Sequence, residues 1–109
     1  MKRKLDDLPR WKDVKKEILS RPGVRKEYET LRPKYEAISA VIKARLEKGL
    51  TQKQLAKKAK TKQANISRFE GGRVTPSIPF LQKIAQALGM QLEIRFKPAV
   101  PSYWDSIGA

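Results

Sequence analysis

Apolar side chains recur at helical spacing along most of this 109-residue chain, and near its end the period changes to two. Trp11, Val14, Ile18 and Leu19 follow an i, i+3, i+7, i+8 pattern, and Val24, Tyr28 and Leu31 follow i, i+4, i+7. Two short amphipathic helices separated near Pro22-Gly23 are predicted. Pro33, tolerated in a first turn, then opens a helix that runs to about Lys48, with Tyr35, Ile38, Ile42 and Leu46 on one face and Gly49 as its stop. Thr51 stands three residues before Gln54, the capping-box spacing, and starts a short helix through Leu55, Ala56 and Ala59. After a turn near Lys60, Thr61 caps a further short helix whose Ile66 and Phe69 face inward and which Gly71-Gly72 terminates. Ser77 caps the next one, with Pro79 in its first turn, Leu81, Ile84 and Leu88 as its buried stripe, and Gly89 at its end.

Beyond Gly89, Leu92, Ile94 and Phe96 alternate with Gln91, Glu93 and Arg95, which predicts a half-buried strand over residues 90–97 closed by Pro98. A lone strand leaves its N–H and C=O groups unpaired. Its partner is either a second copy, giving a symmetric homodimer, or an irregular N- or C-terminal segment of the same chain. The tail, residues 98–109, carries Pro101, Tyr103 and Trp104. The helices of residues 1–34 have the same choice: they pack on the helical core or the sister subunit, or they dock into a partner's groove as they order.

Composition narrows the chemistry. Cys and His are both absent, so disulfides, thiol nucleophiles, histidine bases and common zinc spacings are excluded. The scattered carboxylates, serines and lysines form no recognisable catalytic constellation, and no enzyme activity, metal or cofactor is expected. No 18-residue apolar run or signal segment is evident, so the expected place is the cytoplasm, in association with the nucleoid. Lys and Arg number 25 against 11 Asp and Glu, a net charge of +14, which points to a polyanionic partner through counterion release. Residues 1–34 contribute +6 of this charge, residues 35–97 contribute +9, and the tail −1. Residues 51–73 alone hold Lys53, Lys57, Lys58, Lys60, Lys62, Arg68 and Arg73 against Glu70.

Two short helices joined by a tight turn, with this charge around the second, have the geometry in which a recognition helix enters the major groove and the first braces on the backbone. Ala56 is small enough for the helices to approach, Ile66 anchors the second, and Leu55 and Phe69 fill between them. Lys62, Gln63, Asn65, Ser67 and Arg68 then face outward; Gln and Asn suit adenine, Lys and Arg suit guanine, and Ser suits several acceptors.

The run TQKQLAKKAKTKQANISRFEGGRVTPSIPFLQKIAQALG, residues 51–89, resembles the helix-turn-helix of the Cro/phage-repressor (XRE) family. With the preceding helix, the likeness covers residues 35–89. It implies a mainly α fold: a four- to five-helix Cro/repressor-like domain, here with an N-terminal helical extension (1–34) and a C-terminal β-strand. It implies base reading by Lys62, Gln63, Ala64 and Ser67 or Arg68, alongside Asn65 from the outward face, and a phosphate contact by Gln52. Thr51, Lys58 and Arg73 complete the expected phosphate-binding set. It also implies that Arg45 pairs with Glu70 to orient the recognition helix. One departure is Lys60, where the family usually has Gly, so the turn must hold a left-handed non-glycine residue or take another form.

The layout further resembles HigA-type antitoxins, through E-Y-E-x-L-x-P-x-Y-E-x-I from Glu27 to Ile38 and the later L-E-I-R-F. That likeness implies a dimer on its operator, double-stranded DNA, and neutralisation of a RelE/HigB-like mRNA-cleaving toxin. Residues 1–34 would be the toxin-binding segment, with Trp11, Ile18, Leu19, Val24 and Tyr28 as anchors and Leu92, Ile94 and Phe96 as the dimer strand. The alternative is a stand-alone transcriptional repressor of phage or host type. The basic N-terminal segment fits poorly with wrapping a basic toxin.

Overall fold

The computed structural model describes residues 9–23 and 25–98. Its framework is one long helix. Helix α1, Pro9–Leu19, turns at Gly23 into helix α2, Arg25–Glu47; helices α3, Gln52–Lys58, α4, Gln63–Glu70, and α5, Ile78–Ala87, follow. Five helices are thus formed among the described residues.

The expected break at Pro33 does not occur. Helix α2 passes through this proline, so the start expected there is corrected, and a boundary at residues 34/35 would fall inside a helix. A proline removes one N–H from the ladder, but buried contacts on both sides of it keep the helix continuous. The Trp11 ring lies against Tyr28 upstream, at 5.4 Å between centroids, and against Tyr35 downstream, at 4.7 Å. Trp11 therefore clamps α2 across the proline, and tertiary packing overrides the local signal.

Two apolar layers share α2. Trp11, Tyr35, Ile38, Ile42 and Phe69 form one, flanked by Val14, Tyr28 and Leu31. Ala44, Leu55, Ala56, Ala59, Ile66, Ile84 and Leu88 form the other, and Val41 and Phe80 touch both. Burial of Trp11 and Ile18 corrects the reading of these residues as anchors for a foreign protein: both are inside their own chain. Tyr28 is half-buried on Trp11, Leu19 is exposed, and Val24 lies outside the described residues. The i, i+3, i+7 face of α1 was a core face.

Local caps follow the sequence closely. Thr51 accepts from the Gln54 N–H at 3.0 Å while Gln54 Oε1 accepts from the Thr51 N–H at 2.8 Å, and Ser77 accepts from the Phe80 N–H. Thr61, by contrast, does not cap α4. Its hydroxyl accepts from the Asn65 side chain instead of a backbone N–H, and the N-cap is Lys62, where no side chain bonds the helix end.

No strand is present among the described residues, which corrects the strand expected over 90–97 as an element of a single chain. A ladder needs facing N–H and C=O groups, and the described segments beside residues 91–97 are helices α2 and α5, whose backbone groups are spent within their own turns. No described helix is long and apolar enough to cross a membrane.

Candidate nucleic-acid interface

Helices α3 and α4 meet through Leu55, Ala56, Ala59 and Ile66 of one apolar layer, whereas Phe69, expected between the two helices, packs into the other layer with Trp11, Tyr35, Ile38 and Ile42. The turn between them is a Schellman cap: the Lys60 N–H bonds the Lys57 carbonyl at 3.2 Å and the Thr61 N–H bonds the Ala56 carbonyl at 2.9 Å. The same cap ends α2, α4 and α5, with Gly49, Gly72 and Gly89 in the left-handed position. In α3 that position is Lys60, at φ 57°. The turn of the motif has kept its geometry and accepted a Cβ clash that the other three ends avoid.

The position of α4 is fixed from behind. Glu70 accepts from Arg45 through both oxygens, at 2.8 and 2.9 Å, and its Oε1 also accepts from Gln52 Nε2 at 3.0 Å. Arg45 Nη1 reaches the Leu50 carbonyl at 2.9 Å. One buried carboxylate thus ties the last residue of α4 to the middle helix, to the first residue of α3 and, through Arg45, to the loop between them. Such a latch sets geometry; its net contribution to stability is small because both charges are desolvated.

Gln63, Ala64, Ser67 and Arg68 form the exposed face of α4, with Lys62 at its open end. Asn65 differs from its neighbours: it is half-buried, its Nδ2 donates to Thr61 Oγ1 at 3.0 Å, and its Oδ1 accepts from Arg68 Nη2 at 2.5 Å. It positions Arg68 and braces the turn. Thr51 and Gln52 are likewise engaged in the capping box and in the Glu70 latch, while Lys58 and Arg73 are exposed. The structure therefore brings together Arg45 with Glu70, and separates the proposed readers into exposed side chains and one internal brace.

Latching Glu70 has an electrostatic effect. All seven Lys and Arg residues of 51–73 are exposed, whereas the stretch's single acid is almost fully buried and neutralised by Arg45. Its surface is cationic without interruption, which suits a phosphate backbone. Two further cations lie at the far end of α4: Lys34 Nζ donates to the Gly72 carbonyl at 3.0 Å, and the Arg10 side chain lies against Gly72. Sequence patterns could not signal these contacts, because Lys34 and Gly72 are 38 positions apart and no spacing rule links them.

Residues 41–94 match the family model described as helix-turn-helix. This segment is a helix-turn-helix domain. The domain is similar to the multi-protein-binding factor 1 of Yarrowia lipolytica, 45% identical over 62 residues, which covers 55% of this chain and 41% of that protein. It is also similar to multiprotein-bridging factor 1 of Candida albicans, 45% identical over 53 residues (49% of this chain, 35% of that one), and to endothelial differentiation-related factor 1 of Rattus norvegicus, 40% identical over 57 residues (52% and 38%). The chain thus spans about two fifths of the length of these relatives. No solved structure matches it. The names of the two fungal relatives describe binding or bridging of proteins, and the expected HigA-type antitoxin and RelE/HigB-like toxin partner find no support among the three.

Proposed function

We propose that this chain is a sequence-specific DNA-binding regulator of transcription, with α4 as the recognition helix in the major groove. The observation that carries this reading is the unbroken cationic surface around an exposed Gln63, Ala64, Ser67 and Arg68, made possible by the sequestered Glu70. Lys53, Lys57, Lys58 and Arg73 hold the phosphates, and the Asn65-braced Arg68 reads a base edge. A bridging role between DNA and proteins is drawn from the names of the relatives, and is secondary here. The antitoxin reading asks residues 1–34 for a toxin-binding face, and the burial of Trp11 and Ile18 takes away its main anchors.

The test is selection from a random duplex pool, followed by titration of the enriched and a scrambled duplex over a range of salt. The expected result is a short enriched motif and a discrimination of at least about 10³ over scrambled DNA. Equal affinity for both duplexes, or no enrichment, would overturn the reading.

A further inference from the structure

We propose that the N-terminal helices add a second grip on the DNA backbone: Arg10 of α1 and Lys34 of α2 join Arg73 to hold phosphates where α4 leaves the groove. The inference rests on the DNA-binding reading and deepens it, giving α1 and the first half of α2 a place in the same interface.

Three cations reach one turn from three parts of the chain. Gly71 and Gly72 close α4. The Arg10 side chain lies against Gly72, where an added Cβ would meet its Cγ at 3.1 Å, and Lys34 Nζ donates to the Gly72 carbonyl at 3.0 Å. Arg73 follows directly, its Cγ 3.8 Å from where a Cβ would stand on Gly71. Beneath the turn lies the Tyr35 ring, which packs in turn on the buried Trp11 of α1. The core therefore fastens the start of α1 to the far end of α4.

No carboxylate answers this charge. Among the described residues Arg10, Lys34 and Arg73 form no ion pair, whereas Glu17, Glu27 and Glu36 of the same helices are spent on Arg21 and Arg32. A cation beside the last carbonyls of a helix is favourable in itself, and this accounts for Lys34. It does not account for Arg10 and Arg73, which are exposed and bond no carbonyl of the turn. Like charges gathered on one turn repel one another, and a polyanion relieves them.

The turn stands at the height of the phosphates. Helix α4 has eight residues and is about 12 Å long, and the major groove is about 8.5 Å deep. With Gln63 and Ala64 at the base edges, Glu70 and the two glycines emerge at the sugar-phosphate ridge. Arg10 and Lys34 precede residues 41–94, the part that matches the helix-turn-helix model, so their contact is an addition to the motif.

The test titrates the full chain with the selected and the scrambled duplex over a range of salt. Arg10→Ala and Lys34→Met should each lower the slope of log affinity against log salt by about 0.9, and the double variant by about 1.8, with both duplexes weakened alike. Arg10→Lys should keep the wild-type slope. So should Lys26→Ala, which removes the same charge about 12 Å farther up α2. Ethylation of single phosphates should reveal one or two positions that impair the wild-type chain and not the double variant. Urea unfolding separates the structural role: a double variant that loses stability but keeps the wild-type slope and ethylation pattern would overturn the proposal, the cluster then only capping α4. An equal fall in slope for Lys26→Ala would do the same, since net charge alone would then be acting. A slope lowered by Lys58→Ala but not by the double variant would remove this second grip and leave the DNA-binding reading in place. Absence of duplex binding by the wild-type chain would remove both.

Discussion

Arg45 and Glu70 stand 25 positions apart and meet in a two-pronged ion pair that also collects Gln52 and the Leu50 carbonyl. Removing either partner leaves a desolvated charge behind. Glu70→Ala is expected to lose about 3 kcal/mol of stability in urea unfolding. The Arg45→Met, Glu70→Leu double variant should lose less than Glu70→Ala alone, while binding DNA less selectively because α4 is no longer held from behind. A double variant as unstable as the sum of its singles would show that the two residues act independently.

Lys60 holds a left-handed conformation that costs an L-residue about 1–2 kcal/mol. Lys60→Gly is therefore expected to stabilise the domain by about 1 kcal/mol, after the larger chain entropy of glycine is allowed for. Its affinity for DNA should fall slightly at low salt, since one cation is lost. Thermal unfolding decides: a lower midpoint would mean that Lys60 makes a compensating contact.

Gly72 combines a positive φ of 72° with a crowded site, where an added Cβ would lie 2.9 Å from the Tyr35 ring and 3.1 Å from Arg10. Gly23 has nearly the same φ, 70°, and nothing within 4 Å. Gly72→Ala should cost more than Gly23→Ala, for which about 1 kcal/mol is expected from the backbone alone. Equal losses in denaturant titrations would mean that Tyr35 moves aside freely.

Among the exposed residues of the interface, two classes should separate. Gln63→Ala and Arg68→Ala are expected to cost about 1–3 kcal/mol on the selected sequence and little on scrambled DNA. Lys58→Ala and Arg73→Ala should weaken both, each lowering the salt slope by about 0.9. Identical behaviour of the two classes would remove the base-reading assignment.

Trp11 is fully buried, and its indole N–H finds no acceptor among the described residues. Trp11→Ala should cost about 3–5 kcal/mol. Trp11→Phe should be much milder, because the smaller ring no longer buries an unsatisfied donor. A Trp11→Ala protein of unchanged stability would mean that α1 is dispensable.

Signals carried within one or two turns were legible in the sequence. Thr51 with Gln54, Ser77 with Pro79, and the glycines that end α2, α4 and α5 are each decided by their neighbours, so the last three helices and their order could be read, while α2 read as two helices. Signals that need another part of the chain were not. Pro33 reads as a start until Trp11 packs across it, and Thr61 reads as a cap until its hydroxyl is taken by the Asn65 side chain. Asn65 resembles a base reader until Thr61 and Arg68 occupy both ends of its amide. The apolar face of α1 has the same spacing whether it meets its own core or a foreign protein, so periodicity alone could not place it. The segment 91–97 shows a strand's alternation without a strand's partner, because among the described residues nothing pairs with its backbone.

Helix α2 is a beam of 23 residues, about 35 Å long, built into both apolar layers. Its first turns carry α1 and its last turns carry the Arg45 latch on α4. Between them the Trp11 contacts with Tyr28 and Tyr35 span Pro33. The N-terminal helix and the latch that positions α4 are therefore mounted on the same continuous element, with no loop between them.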